Sequence, residues 1–181
     1  VNRASHLARL TGEKATVMPG HFMFLGNPGT GKTTVARMMG KILHSMGVIQ
    51  RPDVIEVDKS KMVGRYVGDT EAITTEVINS AMGGILFIDE AYSLAGDQFR
   101  RNALDTLLKQ LEDKRDRFVC IVAGYTKEMQ AFVDANSGIR SRFPERNWIT
   151  FEDYNDDELF QIFANLCKKE KITMTDEAST L

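Results

Sequence analysis

The sequence lacks the features that mark secreted and membrane-bound proteins. Its 181 residues include only two cysteines, too few for the disulfide scaffold of a small secreted protein. No apolar run approaches the roughly 18 residues of a membrane-spanning helix, and the first residues do not form the apolar core of a signal peptide. These absences exclude a disulfide scaffold and predict a cytoplasmic protein without a membrane segment.

An excess of charge of one sign and metal-binding spacings are also missing. The formal net charge is −2 and the pI is about 6.0, so we do not expect nucleic acid as a partner. Neither the three histidines nor Cys120 and Cys167 have metal-ligand spacing, and we expect both thiols to be reduced and buried. Hydrophobic residues make up 43% of the chain, enough for the core of one substantial domain.

Two kinds of segment alternate along the chain. Short apolar runs that are typical of buried strands occupy residues 21–25, 54–57, 85–88, 118–123 and 148–151. Apolar residues recur at helical spacing in the segments 35–42, 72–78, 104–111 and 159–166. This alternation predicts an α/β fold in which helices cover both faces of a parallel sheet.

Three smaller patterns add to this prediction. Met38, Met39 and Met46 follow helical spacing, and we expect them to fill the core. Leu7 and Leu10 indicate the end of a helix near the start of the sequence. Acidic residues at 156 and 157 stand where the N-terminus of the last predicted helix favours them.

A phosphate-binding motif follows the first predicted strand. Residues 26–33 read GNPGTGKT and match the pattern GxxxxGK[ST] between a strand and a helix. Glycines let the backbone N–H groups approach a phosphate, and the helix N-terminus adds positive potential. We expect Lys32 to supply a point charge and the Thr33 hydroxyl to bind Mg²⁺. The predicted ATP-binding residues are Asn27, Pro28, Gly29, Thr30, Gly31, Lys32, Thr33 and Thr34.

Two carboxylates end the third predicted strand. Asp89 and Glu90 follow the apolar run ILFI, and in an open α/β sheet such strand ends meet the ligand crevice. We expect Asp89 to hold Mg²⁺ and Glu90 to polarise the water that attacks the γ-phosphate. In a chain without a phosphate-binding loop, such a pair would more often be a solvated strand end.

Four segments resemble the AAA+ ATPases. The segments GNPGTGKTT, ILFIDEAYSL, IVAGY and GIRSRFP are similar to the group that includes the red-type Rubisco activase CbbX, stage V sporulation protein K and the ATPases of type VII secretion. The resemblance implies a three-layer P-loop NTPase core over residues 1–152 and the first part of a helical lid over 153–181. It also implies that the lid, with a nucleotide-sensing arginine, continues beyond Leu181, so that the sequence is a fragment.

The resemblance also implies roles for residues outside the two motifs. Tyr66, Val67 and Gly68 match a central pore loop that grips a polypeptide. Arg142, with Arg140 as second choice, matches an arginine finger that reaches the γ-phosphate of a neighbouring subunit. The resemblance also places a polar sensor after the fourth strand, at either Tyr125 or Thr126.

Together these features predict a Mg²⁺-dependent ATPase. It would work as a homo-oligomer, a hexameric ring, that remodels a protein substrate through its pore loop. The alternative is a nucleotide-regulated scaffold with little turnover. A third interpretation, a DNA-dependent remodeller, rests only on the pair Ser141 and Arg142.

Overall fold

The computed structural model describes residues 18–64, 66 and 68–172. The helix predicted around Leu7 and Leu10, and Val67 of the predicted pore loop, lie outside the described residues. The statements below concern the described part of the chain.

The core is a five-stranded parallel sheet. Its strands are β1 (Phe22–Gly26), β2 (Val54–Val57), β3 (Ile85–Ile88), β4 (Val119–Gly124) and β5 (Trp148–Phe151). Their order across the sheet is β2-β3-β4-β1-β5, and every neighbouring pair is parallel. The five predicted strands are confirmed to within one residue at each end, and so is the predicted parallel α/β fold.

Helices connect the strands. They are α1 (Lys32–Ser45), α2 (Lys59–Met62), α3 (Asp69–Ser80), α4 (Gln98–Asp113), α5 (Thr126–Ala135), α6 (Ser137–Arg142) and α7 (Asp156–Lys169). Two 3₁₀ turns occupy Ala91–Leu94 and Glu145–Asn147. The helices predicted from apolar spacing correspond to α1, α3, α4 and α7, whereas α2, α5 and α6 were not predicted.

The sheet is buried on both faces because successive side chains of a strand point to opposite sides. In β3, Leu86 and Ile88 belong to one apolar cluster, which also holds residues of α3, α4 and α5. Ile85 and Phe87 belong to a second cluster, against which α1 packs. These two clusters give the three layers of helix, sheet and helix that the sequence predicts.

The prediction that Met38 and Met46 fill the core is wrong. Their side chains are 55% and 65% exposed, and Ile42 between them is 53% exposed. Helix α1 instead packs on the sheet through Val35, Ala36, Met39 and Leu43. Apolar residues thus lie on both faces of α1, and helical spacing alone does not show which face meets the sheet.

The chain divides into two compact units between Phe151 and Glu152. In the second unit, Asn155 caps α7 by accepting a hydrogen bond from the Glu158 amide, and the Glu158 carboxylate accepts one in return from the Asn155 amide. This reciprocal pair satisfies two amides that the helix itself leaves free. Among the described helices, none combines the length and the apolar character needed to cross a membrane.

Candidate functional site

A cleft of about 340 Å³ opens at the carboxyl ends of β3, β4 and β1. Its lining brings together residues that are far apart in the sequence: Gly26, Pro28, Gly29, Gly31, Lys32, Thr33, Thr34, Asp89, Glu90, Gly124 and Tyr125. The phosphate loop and the two acidic residues therefore share one cleft. Of the loop residues predicted to bind ATP, Asn27 and Thr30 are not among those that line it.

Glycines give the phosphate loop its shape. Gly31 has a φ of 87° and Gly29 one of 78°, in the left-handed region that glycine adopts without strain. A Cβ on Gly26 would lie 2.4 Å from the Phe151 carbonyl oxygen of β5, so this position has no room for a side chain. No side chain caps the N-terminus of α1, which leaves its first amides directed at the cleft as an anion-binding end.

The Lys32 side chain forms hydrogen bonds within the phosphate loop. Its Nζ donates hydrogen bonds to the carbonyl oxygens of Gly26, at 2.8 Å, and Asn27, at 2.6 Å. The Thr30 hydroxyl also donates to the Asn27 carbonyl, at 2.8 Å. Burial lowers the pKa of Lys32, and the nearby Asp89 carboxylate partly opposes this shift. Lys32 thus lines the cleft within the electrostatic range of the Asp89 carboxylate.

The two acidic residues are held by the end of β3. The Asp89 amide donates to the Val57 carbonyl of β2 at 2.9 Å, and Asp89 Oδ1 accepts a hydrogen bond of 3.0 Å from the Glu90 amide. Glu90 has a φ of 47°, a left-handed conformation that is uncommon and costly for a residue with a side chain and is enriched at functional sites. The chain turns sharply here, and both carboxylates are exposed to solvent.

The cleft also has the donor types that suit magnesium. The Thr33 hydroxyl and the Asp89 carboxylate line the same cavity, and Mg²⁺ prefers oxygen ligands supplied by one or two side chains together with phosphates. These two residues fit the ion, as the sequence predicts. Their assignment as its ligands stays a prediction.

The two sensor candidates differ in position. Tyr125 lines the cleft, whereas Thr126 is exposed and begins α5 without being among the lining residues. Gly124, the last residue of β4, was not predicted as a site residue, although it belongs to the IVAGY segment. Tyr92 was not predicted either, and its ring centroid lies 5.9 Å from that of Tyr125.

Neither candidate arginine finger lines the cleft. Arg140 forms ion pairs with Glu145 at 2.6 Å and Asp134 at 3.3 Å. Arg142 donates to the Ser141 hydroxyl at 2.8 Å and lies 3.7 Å from the Glu112 carboxylate of α4. Its side chain is 26% exposed, against 49% for Arg140. Both arginines therefore contact acidic residues of their own chain.

The predicted pore loop lies between α2 and α3. Its base is fixed by the Gly64 amide, which donates to the Thr70 hydroxyl at 3.0 Å. Tyr66 is 73% exposed, although an aromatic ring of its size is usually at least partly buried. Gly68 has a φ of 98° and leads into α3. The loop thus presents an aromatic ring to solvent.

Comparison with known proteins connects this site to one family. The family model described as "ATPase family associated with various cellular activities (AAA)" matches residues 22–151. Stage V sporulation protein K of Bacillus subtilis is 45% identical over 161 residues, which are 87% of this chain and 49% of that protein. Protein CbbX of Cereibacter sphaeroides is 42% identical over 184 residues, covering 99% of this chain and 58% of that protein. The chain therefore spans about half the length of these relatives.

A solved structure agrees with these matches. The FIGL-1 AAA domain in complex with ADP superimposes with a TM-score of 0.59 and covers 88% of this chain and 52% of that one. Its sequence identity is 22%, so the likeness shows a common fold and no more.

Proposed function

The chain belongs to the AAA family of ATPases, in the group of stage V sporulation protein K and CbbX, and we propose that it binds Mg·ATP and hydrolyses it. The observation that carries this proposal is the cleft that joins Lys32, Thr33, Asp89 and Glu90. Without the carboxylates, the loop would support binding alone. With them, the cleft has groups that can bind the phosphates, hold Mg²⁺ and polarise the attacking water.

Binding would rest on the loop and the start of α1. The uncapped helix N-terminus and the backbone amides of the loop suit the β- and γ-phosphates. Lys32 would exchange its bonds to the Gly26 and Asn27 carbonyls for phosphate oxygens, which are stronger partners for an ammonium group. Thr33 and Asp89 would hold Mg²⁺, which neutralises charge that develops on the phosphates.

Hydrolysis would depend on Glu90. A carboxylate at the cleft accepts a proton from water, or orients that water, when it lies within hydrogen-bond reach of it. The left-handed backbone at Glu90 turns the chain at the edge of the cleft, next to Asp89. Tyr125, which lines the same cleft, is the better placed of the two sensor candidates.

We also propose that the active form is a homo-oligomeric ring, hexameric and cytoplasmic, that acts on a protein substrate. Membership of the AAA family supports the ring, and so does the absence of both candidate arginines from the cleft lining of their own chain. The exposed ring of Tyr66 supports contact between the loop and a polypeptide. In this scheme residues 1–152 form the ATPase core and 153–181 the beginning of the lid.

The test compares the full-length protein with its Glu90→Gln variant. Glutamine preserves the size of the side chain but accepts no proton, so turnover should fall by about 100-fold or more while ATP still binds. Phosphate release and binding of a fluorescent ATP analogue measure the two effects. Equal and very slow turnover in both proteins, with ATP bound, would replace the ATPase proposal by the nucleotide-regulated scaffold.

A further inference from the structure

Tyr92 lies between the acidic residues that follow β3 and Gly124 at the end of β4. The left-handed turn at Glu90 leads directly into the 3₁₀ turn Ala91–Leu94. Ala91 and Leu94 are fully buried and fix this turn in the apolar core. The turn carries the ring of Tyr92 over the end of β4.

Gly124 provides the space that the Tyr92 ring occupies. A Cβ on Gly124 would lie 2.8 Å from both Cδ1 and Cε1 of Tyr92, and 2.9 Å from Cγ of Met129. Gly124 is not among the described glycines with a positive φ, so its backbone conformation is open to other residues. The glycine is therefore needed for space rather than for backbone freedom.

The same ring contacts a second residue of the cleft. The ring planes of Tyr92 and Tyr125 are tilted by 32°, with their centroids 5.9 Å apart, a separation at which aromatic pairs attract each other. Tyr125 and Gly124 are neighbours in the sequence, and both line the cleft. Tyr92 thus packs against both, and it stands two residues after Glu90.

From this arrangement we infer that Tyr92 is a positioning residue for hydrolysis: its ring, seated on Gly124, holds Tyr125 and the Glu90 turn in a fixed relation across the cleft. The inference rests on the proposed ATPase function. It assigns the ring a mechanical role, because misplacing a reacting group by about 1 Å can cost on the order of 100-fold in rate.

The surroundings of Tyr92 favour the neutral, protonated form of its phenol. Burial raises the pKa of Tyr92 to about 12, and the Glu90 carboxylate adds to the shift. The phenol therefore stays protonated over the physiological range and places no second negative charge beside Glu90. Phenylalanine would retain this neutral packing surface.

The first test measures kcat and ATP affinity separately in the full-length protein. Tyr92→Ala should lower kcat by about 10- to 100-fold and change the Kd for a fluorescent ATP analogue by less than about threefold, since the loop is untouched. Tyr92→Phe should restore kcat to within about twofold of wild type, because the ring remains. Ser93→Ala, on the same turn, is the matched control and should leave both quantities unchanged.

The second test is a double-mutant cycle between positions 92 and 124. Gly124→Ala alone should lower kcat about as much as Tyr92→Ala, because its methyl group displaces the ring. In the Tyr92→Ala background the same methyl group meets mainly the flexible Met129 side chain, so it should add little further loss. Such strong non-additivity in kcat is the expected signature, and Kd is measured in the same variants because Gly124 itself lines the cleft.

The outcomes separate this inference from the proposed function. If wild type hydrolyses ATP and Tyr92→Ala keeps its kcat, the positioning role is overturned while the ATPase remains. Parallel loss of melting temperature and ATP affinity without a selective fall in kcat would also overturn it, in favour of a purely structural ring. If wild type binds ATP without turnover, both proposals fall together.

Discussion

The two ends of the sheet are built differently. At the carboxyl ends of the strands, the phosphate loop, Asp89 and Glu90 converge in one cleft. At the opposite end, Arg142 lines a separate cavity of about 240 Å³ with the buried His21. The first end assembles reactive groups from several strands, and the second pairs its arginines with carboxylates of the same chain.

The length of β1 keeps these ends apart. His21 precedes the strand, and its ring lies 5.8 Å from that of Phe143, directly after α6. The phosphate loop follows the strand, whose five residues span roughly 16 Å at about 3.3 Å per residue. One chain thus carries its arginine turn and its cleft at opposite ends of one strand, an arrangement that fits the proposed action of the arginine on a neighbouring subunit.

The largest effect is expected at the cleft end, from Lys32→Ala. The substitution removes the ammonium group from the phosphate loop, and nucleotide binding should become undetectable. Binding of a fluorescent ATP analogue measures this. The matched control is Lys41→Ala on the exposed side of the same helix, which should bind normally. Unchanged affinity in Lys32→Ala would mean that the phosphate loop has been misassigned.

At the opposite end, Arg142→Ala should leave ATP binding within a few-fold of wild type and lower turnover by about 10³-fold or more, as expected for a finger acting in trans. Arg142→Lys retains the charge and much of the packing against Glu112, but it loses the planar fork and should also be slow. Arg140→Ala serves as the comparison and should have a smaller effect. The reverse ranking would assign the finger to Arg140.

Mixing experiments sharpen this prediction. Subunits with Arg142→Ala keep Glu90, and subunits with Glu90→Gln keep Arg142. If the arginine acts in trans, a mixture of the two inactive variants should regain part of the activity through shared sites. No recovery in a mixed oligomer would contradict action across subunits.

The sequence predicts the cleft end better than the opposite end, for a physical reason. The loop and the acidic pair are local motifs, and parallel strands bring their carboxyl ends to one edge, so pattern and topology suffice to join residues 26–33 to 89 and 90. The contact of Tyr92 with Gly124 depends on a tight turn and on the absence of one methyl group. No local pattern encodes that contact between residues 32 positions apart.

Other features of the fold were not predicted because they, too, are not encoded in a local sequence pattern. Helix α6 has six residues, fewer than the window of about 11 to 18 residues over which recurring apolar spacing identifies a helix. The exposure of Met38 and Met46 depends on which face of α1 meets the sheet, and that is a tertiary property. Ion pairs such as Arg140 with Asp134 and Glu145 likewise appear only once the chain is folded.

The pH dependence of unfolding measures how much His21, at the end of the sheet opposite the cleft, contributes to stability. Burial lowers its pKa from 6.5 to about 4, and its Nδ1 accepts a hydrogen bond from the Cys120 amide at 3.0 Å. The folded state thus favours the neutral ring. The contribution of the neutral His21 ring to the free energy of unfolding is complete above pH 6.5. It is lost as the pH falls from 6.5 towards 4, by about 3 kcal/mol at most. Urea unfolding across this range measures the loss.

The control for this prediction is His21→Gln, whose amide oxygen accepts the same hydrogen bond but does not titrate. It should be less stable than wild type at pH 7, and the difference should shrink as the pH falls. Carboxylates that titrate in the same range cancel in the comparison. A constant difference between pH 7 and pH 4.5 would contradict the assignment of a neutral, buried His21.

The smallest effect on ATP turnover is expected from Tyr66→Ala, outside the cleft. Tyr66 is 73% exposed and does not line the cleft, so basal hydrolysis should stay within about twofold of wild type. If the ring grips a polypeptide, the variant should lose the stimulation of turnover by an unfolded probe, reduced and carboxymethylated α-lactalbumin. Tyr66→Phe should retain it, because an aromatic surface suffices for packing. Stimulation that survives in Tyr66→Ala would remove this loop from the proposed mechanism while leaving the cleft chemistry intact, since the two depend on different residues.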